Sequence, residues 1–396
     1  MPQVSPSALA VPHSRIRELA EIAIRMDETS PDPNDKVLKL YFGESNQPTP
    51  EFIQRAAQKA MRDGFTFYTS NAGLSSLRTM IARYYEDHHQ VALDPSSEIV
   101  VTASGVQALS VAIRCCLDPG DEGIVLTPAW PNQSSNIHLA NGIAREVPHV
   151  LCGGRFTIDF DALKAAVTPR TRLLIYTSPS NPLGWTATVD DQKRLLEFAR
   201  AHQLWLIADE VYERLFYLPQ KLGTPAPSIL RLATRDDALI VIQSFSKSYC
   251  MTGWRVGWLV GRKDLAARAA VLNEFIVSHA PSFAQRAGET ALEWGDQKLR
   301  EMLAQFKINR DLCLAAMAKM KRVSVPSPDG AFYLFPKIEG VTDSFDFCKR
   351  LLLDTKVGLA PGVAFGAGGE GFIRLCYASE PEILQKAMTR LAAFLG

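Results

Sequence analysis

The feature that most limits what this chain can fold into is an alternation that begins at Glu98 and runs to Phe245. Short apolar, β-branched runs near Ile99, Ile124, Ala144, Leu173, Leu204 and Ile240 are separated by helical patterns such as Val106 to Leu117 and Val189 to His202. Strands and helices alternating in this way predict an α/β fold: a parallel sheet with crossover helices. The run Arg255 to Val260 breaks the pattern. Only nine residues separate it from Phe245, too few for a parallel crossover, so it is expected to run antiparallel.

Around this segment the pattern changes. Ahead of it lie a helix candidate from Ser14 to Met26, a Pro/Asp/Asn-rich connector from Ser30 to Asp35, and a strand from Leu38 to Phe42 that ends at Gly43. Helices from Glu51 to Arg62 and Leu74 to His88 flank an aromatic loop, Phe65 to Tyr68. Beyond Asp264 helices dominate, with one from Gln297 to Met320, short strands near Phe332 and Phe372, and a closing helix from Pro381 to Phe394. A chain of 396 residues is long for one core. The expected division is a lead-in and part of a small domain in residues 1–50, a large α/β domain in 51–293, and the rest of an α+β small domain in 294–396.

Composition excludes several classes of partner. Forty-three basic against 42 acidic side chains give a net charge of +1, so there is no field to attract nucleic acid or an anionic membrane. Met1 to Ala23 shows neither a basic segment followed by an apolar core nor a run long enough to span a bilayer, and the expected location is cytoplasmic. The seven cysteines include no C-x-x-C pair and read as reduced core residues. There is no P-loop lysine motif, H-E-x-x-H, G-x-S-x-G or paired Cys/His spacing, which removes NTPase, hydrolase and zinc readings.

The candidate chemistry gathers at strand ends. Ser244-Phe245-Ser246-Lys247 follows the run at Ile240, with Arg255 eight residues beyond the lysine. A lysine desolvated beside hydroxyls and a second cation is suited to Schiff-base chemistry on an anionic aldehyde, although by itself the segment also reads as a surface lysine. Asp209 ends the apolar run Leu206 to Ala208. It calls for a positive partner, either a protonated cofactor nitrogen or a structural salt bridge. Ser104-Gly105-Val106 opens a helix and is either a phosphate cradle or a plain cap. Asn181 is placed to hydrogen-bond a ligand or to shape a turn, and Trp130 to stack on a flat ring or simply to pack. Arg374, inside the apolar run Phe372 to Leu375, needs an anion, and a fork-shaped pairing with a carboxylate suits it best. Gly366 to Gly371 satisfies G-x-G-x-x-G but leads into a strand, so it reads as a flexible loop rather than a dinucleotide site.

Taken in order, Tyr68 before Ala72-Gly73, Ser104-Gly105, Thr127-Pro128-Ala129-Trp130, Asn181-Pro182-Leu183-Gly184, Asp209-Glu210-Val211-Tyr212, Ser244-x-Ser246-Lys247 with Arg255, and Phe372-Ile373-Arg374-Leu375 resemble the class I/II aminotransferases. These are fold type I enzymes that depend on pyridoxal 5'-phosphate, and the resemblance implies a three-layer αβα domain with a mostly parallel seven-stranded sheet plus a smaller α+β domain. The resemblance runs from Leu38 to Ala378 and implies that Lys247 holds the cofactor as an imine and then serves as the base. It implies that Asp209 keeps the ring nitrogen protonated, that Tyr212 and Asn181 bond the ring oxygen, and that Trp130 stacks on the ring. Gly105, Val106, Ser244 and Arg255 would bind the phosphate, joined by Tyr68 of a second subunit in a homodimer with shared sites. Arg374 would clamp the substrate α-carboxylate, with Gly43, Asn181 and Trp130 lining that pocket. The implied reaction moves an amino group from an L-amino acid to a 2-oxo acid, 2-oxoglutarate being the expected acceptor, by a ping-pong mechanism. A lyase, decarboxylase or oxidase of the same fold stays open as an alternative, as does, more remotely, a cofactor-sensing regulator. Two departures bear on substrate choice: Gly43-Glu44-Ser45-Asn46 replaces Gly-x-Pro-Asp, and Val106 stands where an aspartate-specific branch has lysine.

Overall fold

In the computed structural model, which describes residues 3–9, 11–30, 32 and 35–396, the alternating segment forms a seven-stranded sheet. Met1, Pro2 and Ala10, and Pro31, Pro33 and Asn34 of the expected connector, lie outside the described residues. The first strand, β1, is Leu38–Lys39. The sheet is built from β2 (Ile99–Thr102), β3 (Glu122–Thr127), β4 (Ile143–Pro148), β5 (Thr171–Thr177), β6 (Trp205–Asp209), β7 (Leu239–Ser244) and β8 (Gly257–Gly261). Their spatial order is β2-β8-β7-β6-β5-β3-β4. Only β8 runs against its neighbours, pairing Gly257 with both Thr102 and Ser244.

Burial explains the three layers. Every residue of β7 is buried, with Val241 in one core while Ile240 and Ile242 enter the core on the opposite face. Such a strand is stable only with helices on both sides. The edge strand β4 is half exposed, with Ile143, Arg145 and Glu146 open to solvent and Val147 buried. The crossover helix Val189–His202 begins where its sequence says it should: the Thr188 hydroxyl accepts from the Asp191 amide at 3.1 Å, and the Asp191 carboxylate accepts from the Thr188 amide at 2.9 Å.

The segments before and after this sheet pack on one another. Besides β1 they contain β9 (Tyr333–Leu334), β10 (Val357–Gly358), β11 (Ala360–Pro361) and β12 (Ile373–Cys376). β1 lies parallel to β10, with Leu38 opposite Val357. β12 is flanked by β9, which sets Tyr333 opposite Cys376, and by β11, which sets Ala360 opposite Arg374.

Three expectations are corrected. The strand expected over Leu38–Phe42 stops after Lys39, because its partner β10 is only two residues long; after the Leu40 amide bonds the Gly358 carbonyl at 3.0 Å, Tyr41 and Phe42 turn away. The strand expected from Arg255 starts at Gly257, since Arg255 sits at φ 56 in the left-handed region. The glycine-rich loop Gly366–Gly371 does lead into β12, but it is tied down: the Ala367 amide bonds Glu146 at 2.8 Å, and the Ser344 amide bonds Glu370 at 2.6 Å. All seven cysteines are unpaired; Cys313, Cys348 and Cys376 are core residues, whereas Cys152 is exposed. Among the described residues no helix is long and apolar enough to cross a membrane.

Candidate active site

Thr177, Asp209 and Ser244 close β5, β6 and β7, and all three line one cavity of about 860 Å3. This is the carboxyl end of the sheet, where open α/β folds bind ligands. Of the twelve predicted site residues, eleven line the same cavity: Gly43, Gly105, Val106, Trp130, Asn181, Asp209, Tyr212, Ser244, Lys247, Arg255 and Arg374. Tyr68 does not. It is 89% exposed, packed edge to face on His279 at 5.7 Å, and borders a separate groove with Phe67.

Lys247 rides on the single helical turn Phe245–Ser248. Ser244 starts that turn by accepting from the Ser246 amide at 3.1 Å, which projects the lysine off the end of β7. The Lys247 ammonium donates to the Gly43 carbonyl at 2.6 Å. Burial pushes its pKa down from 10.5 to about 8, against the opposing pull of Cys376 and Glu44.

Asp209 is the reverse case. It is 4% exposed, and burial lifts its carboxyl to about 6, with the Val211 amide, Gln133 and Lys247 offsetting this only in part. A carboxylate so placed gains most from a cationic ligand atom. Tyr212 follows one turn later; burial raises its phenol, and its hydroxyl lies 2.7 Å from that of Tyr333.

One end of the cavity is built for an anion. Ser104 caps the helix Gly105–Cys116 by accepting from the Gln107 amide, so the first-turn residues Gly105 and Val106 stand at the positive end of the helix dipole. Ser244 packs against Gly105, and Arg255 lines the same cavity. Gly257 makes this approach possible: a Cβ there would fall 2.6 Å from the Gly105 nitrogen and 2.7 Å from the Gln243 carbonyl oxygen.

Arg374 lines the same cavity. Its Nη1 donates to Asn181 Oδ1 at 2.8 Å and its Nη2 to the Tyr41 carbonyl. Its Nε is buried with no partner, a donor left over for an incoming carboxylate. Because Asn181 spends its carbonyl on the arginine, its amide hydrogens are free for a ligand. Trp130 is carried by the turn after β3, where the Ala129 amide bonds the Phe365 carbonyl at 2.9 Å.

The set fits a flat cofactor with an anionic tail, a ring atom that becomes cationic and an aldehyde that an amine can capture. Several lining residues escaped sequence reasoning: Tyr41, Ser246 and Tyr333 inside the cavity, and Arg15 and Arg17 at its mouth. Ser246 lay within a quoted motif. Tyr333 offered one signal, since a tyrosine in a buried apolar run needs a partner for its hydroxyl. The two arginines belong to an amphipathic helix whose sequence carries no pointer to the cavity.

The aminotransferase class I and II family model matches residues 35–391. The chain is 33% identical over 357 residues to the probable aspartate aminotransferase of Methanocaldococcus jannaschii, covering 89% of this chain and 91% of that one. It is 31% identical over 385 residues to aromatic-amino-acid aminotransferase 2 of Thermococcus litoralis, covering 96% and 95%. Among solved structures, the aspartate aminotransferase of Thermus thermophilus with maleate superposes with a TM-score of 0.91 at 30% identity, over 100% of both chains.

Proposed function

This chain belongs to the aminotransferase class I and II family and is a transaminase, and from that premise we propose that it works with pyridoxal 5'-phosphate. The proposed reaction takes the amino group of an L-amino acid and passes it to 2-oxoglutarate in two half-reactions. The observation that carries the reading is the convergence of Lys247, Asp209 and Arg374 on one cavity, each with a need the ligand would meet. When bound, pyridoxal 5'-phosphate supplies an electron-withdrawing ring that stabilises negative charge developing at the substrate Cα.

The chain's residues have separate tasks. Lys247, with its pKa lowered to about 8, anchors the cofactor aldehyde and then exchanges a proton at the substrate Cα. Asp209 holds a carboxylate against the ring nitrogen, where its buried charge is matched. Tyr212 and Asn181 donate to the ring oxygen, Trp130 covers the ring face, and Gly105, Val106, Ser244 and Arg255 hold the phosphate. Arg374 takes the α-carboxylate through its free Nε, beside Gly43.

Two finer parts of the reading have their own support. An acceptor with a second carboxylate suits a cavity whose mouth carries Arg15 and Arg17. A homodimer, in which Tyr68 reaches the phosphate of the partner's site, suits the exposure of Phe67 and Tyr68, at 79% and 89%.

The test is the visible spectrum of protein purified with the cofactor. Bleaching of the cofactor band by one L-amino acid alone, with recovery on adding 2-oxoglutarate, is the expected result. A 2-oxo acid made catalytically with no acceptor present, or with oxygen consumed, would replace this reading by the lyase or oxidase one.

A further inference from the structure

Tyr333 belongs to none of the motifs above, yet it touches three groups of the site. Its hydroxyl lies 2.7 Å from the Tyr212 hydroxyl. The Arg374 guanidinium sits over its ring, 4.6 Å from the centroid. A Cβ on Gly43 would fall 2.3 Å from the Tyr333 hydroxyl, so the phenol rests on the backbone whose carbonyl accepts from Lys247. Tyr333 is fully buried and is fixed in β9 opposite Cys376.

We propose that Tyr333 is a positioning residue: it donates its hydroxyl proton to Tyr212, so that the proton of Tyr212 is left to point into the cavity, and its ring supports the Arg374 guanidinium. The inference rests on the function proposed above. Two phenols 2.7 Å apart share one hydrogen bond, and the one that accepts must send its own proton elsewhere. Tyr333 is pressed against Gly43 and covered by Arg374, and among the described residues its hydroxyl bonds that of Tyr212, which lines the cavity from the loop after β6. Donation from Tyr333 therefore gives both protons a destination. The titratable groups facing the pair are Arg374 and Cys376 from β12, Asp209 from β6, and Lys247. Burial raises both phenols, but their mutual bond raises Tyr333 and lowers Tyr212. That is the pattern of a donor that keeps its proton while making its acceptor a better donor in turn.

The same residue thus joins two parts of the site. Tyr212 faces the cofactor ring oxygen and Arg374 the substrate carboxylate, and one buried ring touches both, sharing the guanidinium with the Phe365 ring at 4.8 Å. The cation–π contact is of the kind that strengthens when water is excluded.

The test uses the cofactor-loaded protein and the variants Tyr333→Phe, Tyr212→Phe and the double variant. The pH midpoint of the visible cofactor band, cofactor affinity by tryptophan quenching, and thermal unfolding are measured for each. Tyr333→Phe should move the midpoint upward by roughly half to one pH unit, the equivalent of one neutral hydrogen bond, because a weaker donor at Tyr212 favours the ring-oxygen anion less. Tyr212→Phe should move it at least as far, and the double variant no further than Tyr212→Phe. An unmoved midpoint in folded Tyr333→Phe, or shifts that add in the double variant, overturns the inference and leaves the proposed function intact. If Tyr333→Phe unfolds, a midpoint unmoved in Tyr212→Phe overturns it equally. A wild-type protein that forms no cofactor band overturns the function reading, and the inference with it.

Discussion

The ammonium of Lys247 and the carbonyl oxygen of Gly43 are 2.6 Å apart in space and 204 positions apart in sequence. The bond joins the turn after β7 to the turn that follows β1, so the lysine nitrogen is held by a part of the chain outside its own sheet. A hydrogen bond from a charged donor is worth about 1.5–3 kcal/mol, enough to fix the lysine's aim while leaving it displaceable.

The protonation of Lys247 should be visible in how fast the cofactor is captured. Only the free amine attacks an aldehyde. With burial setting its pKa to about 8 rather than 10.5, the capture rate of cofactor-free protein should rise about tenfold per pH unit below 8 and level off above it. Stopped-flow absorbance reads this directly, and a rise that continues toward 10.5 would show that burial does not depress the lysine. Lys247→Ala should abolish turnover; activity near wild type would remove the lysine from the mechanism.

Asp209 should cost stability until its ligand arrives. Its folded pKa of about 6 lies above the ordinary 3.8, so folding favours the protonated form. That contribution is complete below 3.8 and is lost as pH rises through 6, on the order of 2–3 kcal/mol across the window. Asp209→Asn should remove this loss, leaving cofactor-free protein more stable than wild type at pH 8 while weakening cofactor binding. Chemical denaturation across pH 4 to 8 is the check, and a less stable Asp209→Asn at pH 8 would contradict it.

Arg374→Ala should weaken carboxylate binding by roughly 2–5 kcal/mol, the range for breaking a desolvated charge pair. The effect belongs in KM for both the amino and the 2-oxo acid, because both present the same group. Steady-state kinetics that leave KM unchanged would place the carboxylate elsewhere.

Gly257→Ala tests the anion cradle from behind. Its new methyl group would meet the Gly105 nitrogen, the Gln243 oxygen and the Ser104 carbonyl carbon at 2.6 to 2.7 Å, all backbone atoms that cannot swing aside. Overpacking of this kind costs about 1–3 kcal/mol, and here it pushes on the helix opening at Gly105. Affinity for pyridoxal 5'-phosphate should fall while KM for the amino acid changes little. Equal effects on both would mean general unfolding rather than a displaced cradle.

If Tyr68 serves the partner's site, two inactive proteins should repair each other. A hybrid of Lys247→Ala with Tyr68→Ala places wild-type Lys247 and wild-type Tyr68 in one of its two sites. Activity after mixing and subunit exchange should exceed the sum of the separate variants. No gain, with hybrid formation verified by mass spectrometry, would keep Tyr68 out of the site.

The sheet was legible because burial on both faces writes itself as unbroken apolar runs, as in Leu239 to Ile242, and because nine residues are too few for a crossover before β8. The gathering of candidate residues at strand ends was legible for a related reason: Asp209 and Arg374, which line one cavity, are charges in segments where an unpaired charge is costly. Tyr333 was hidden since its ring satisfies the same apolar pattern as Phe332 and Phe335, and the sequence carries no mark of what its hydroxyl meets. Leu38–Phe42 was overread because strand length depends on a partner, and the partner, Val357–Gly358, lies more than three hundred residues away. Arg15 and Arg17 were missed for want of any local signal that a helix end would reach the cavity.

That distant partner also sets the order of events on the ribosome. Leu38 emerges early but has nothing to pair with until Val357 has been made, and such non-local pairings are the slow step of assembly. The large sheet can close as soon as β8 appears, whereas the wall holding Tyr41, Gly43 and Arg374 must wait until β10 to β12 have been made. A nascent chain stalled short of β10 would therefore carry the lysine without the arginine's enclosure.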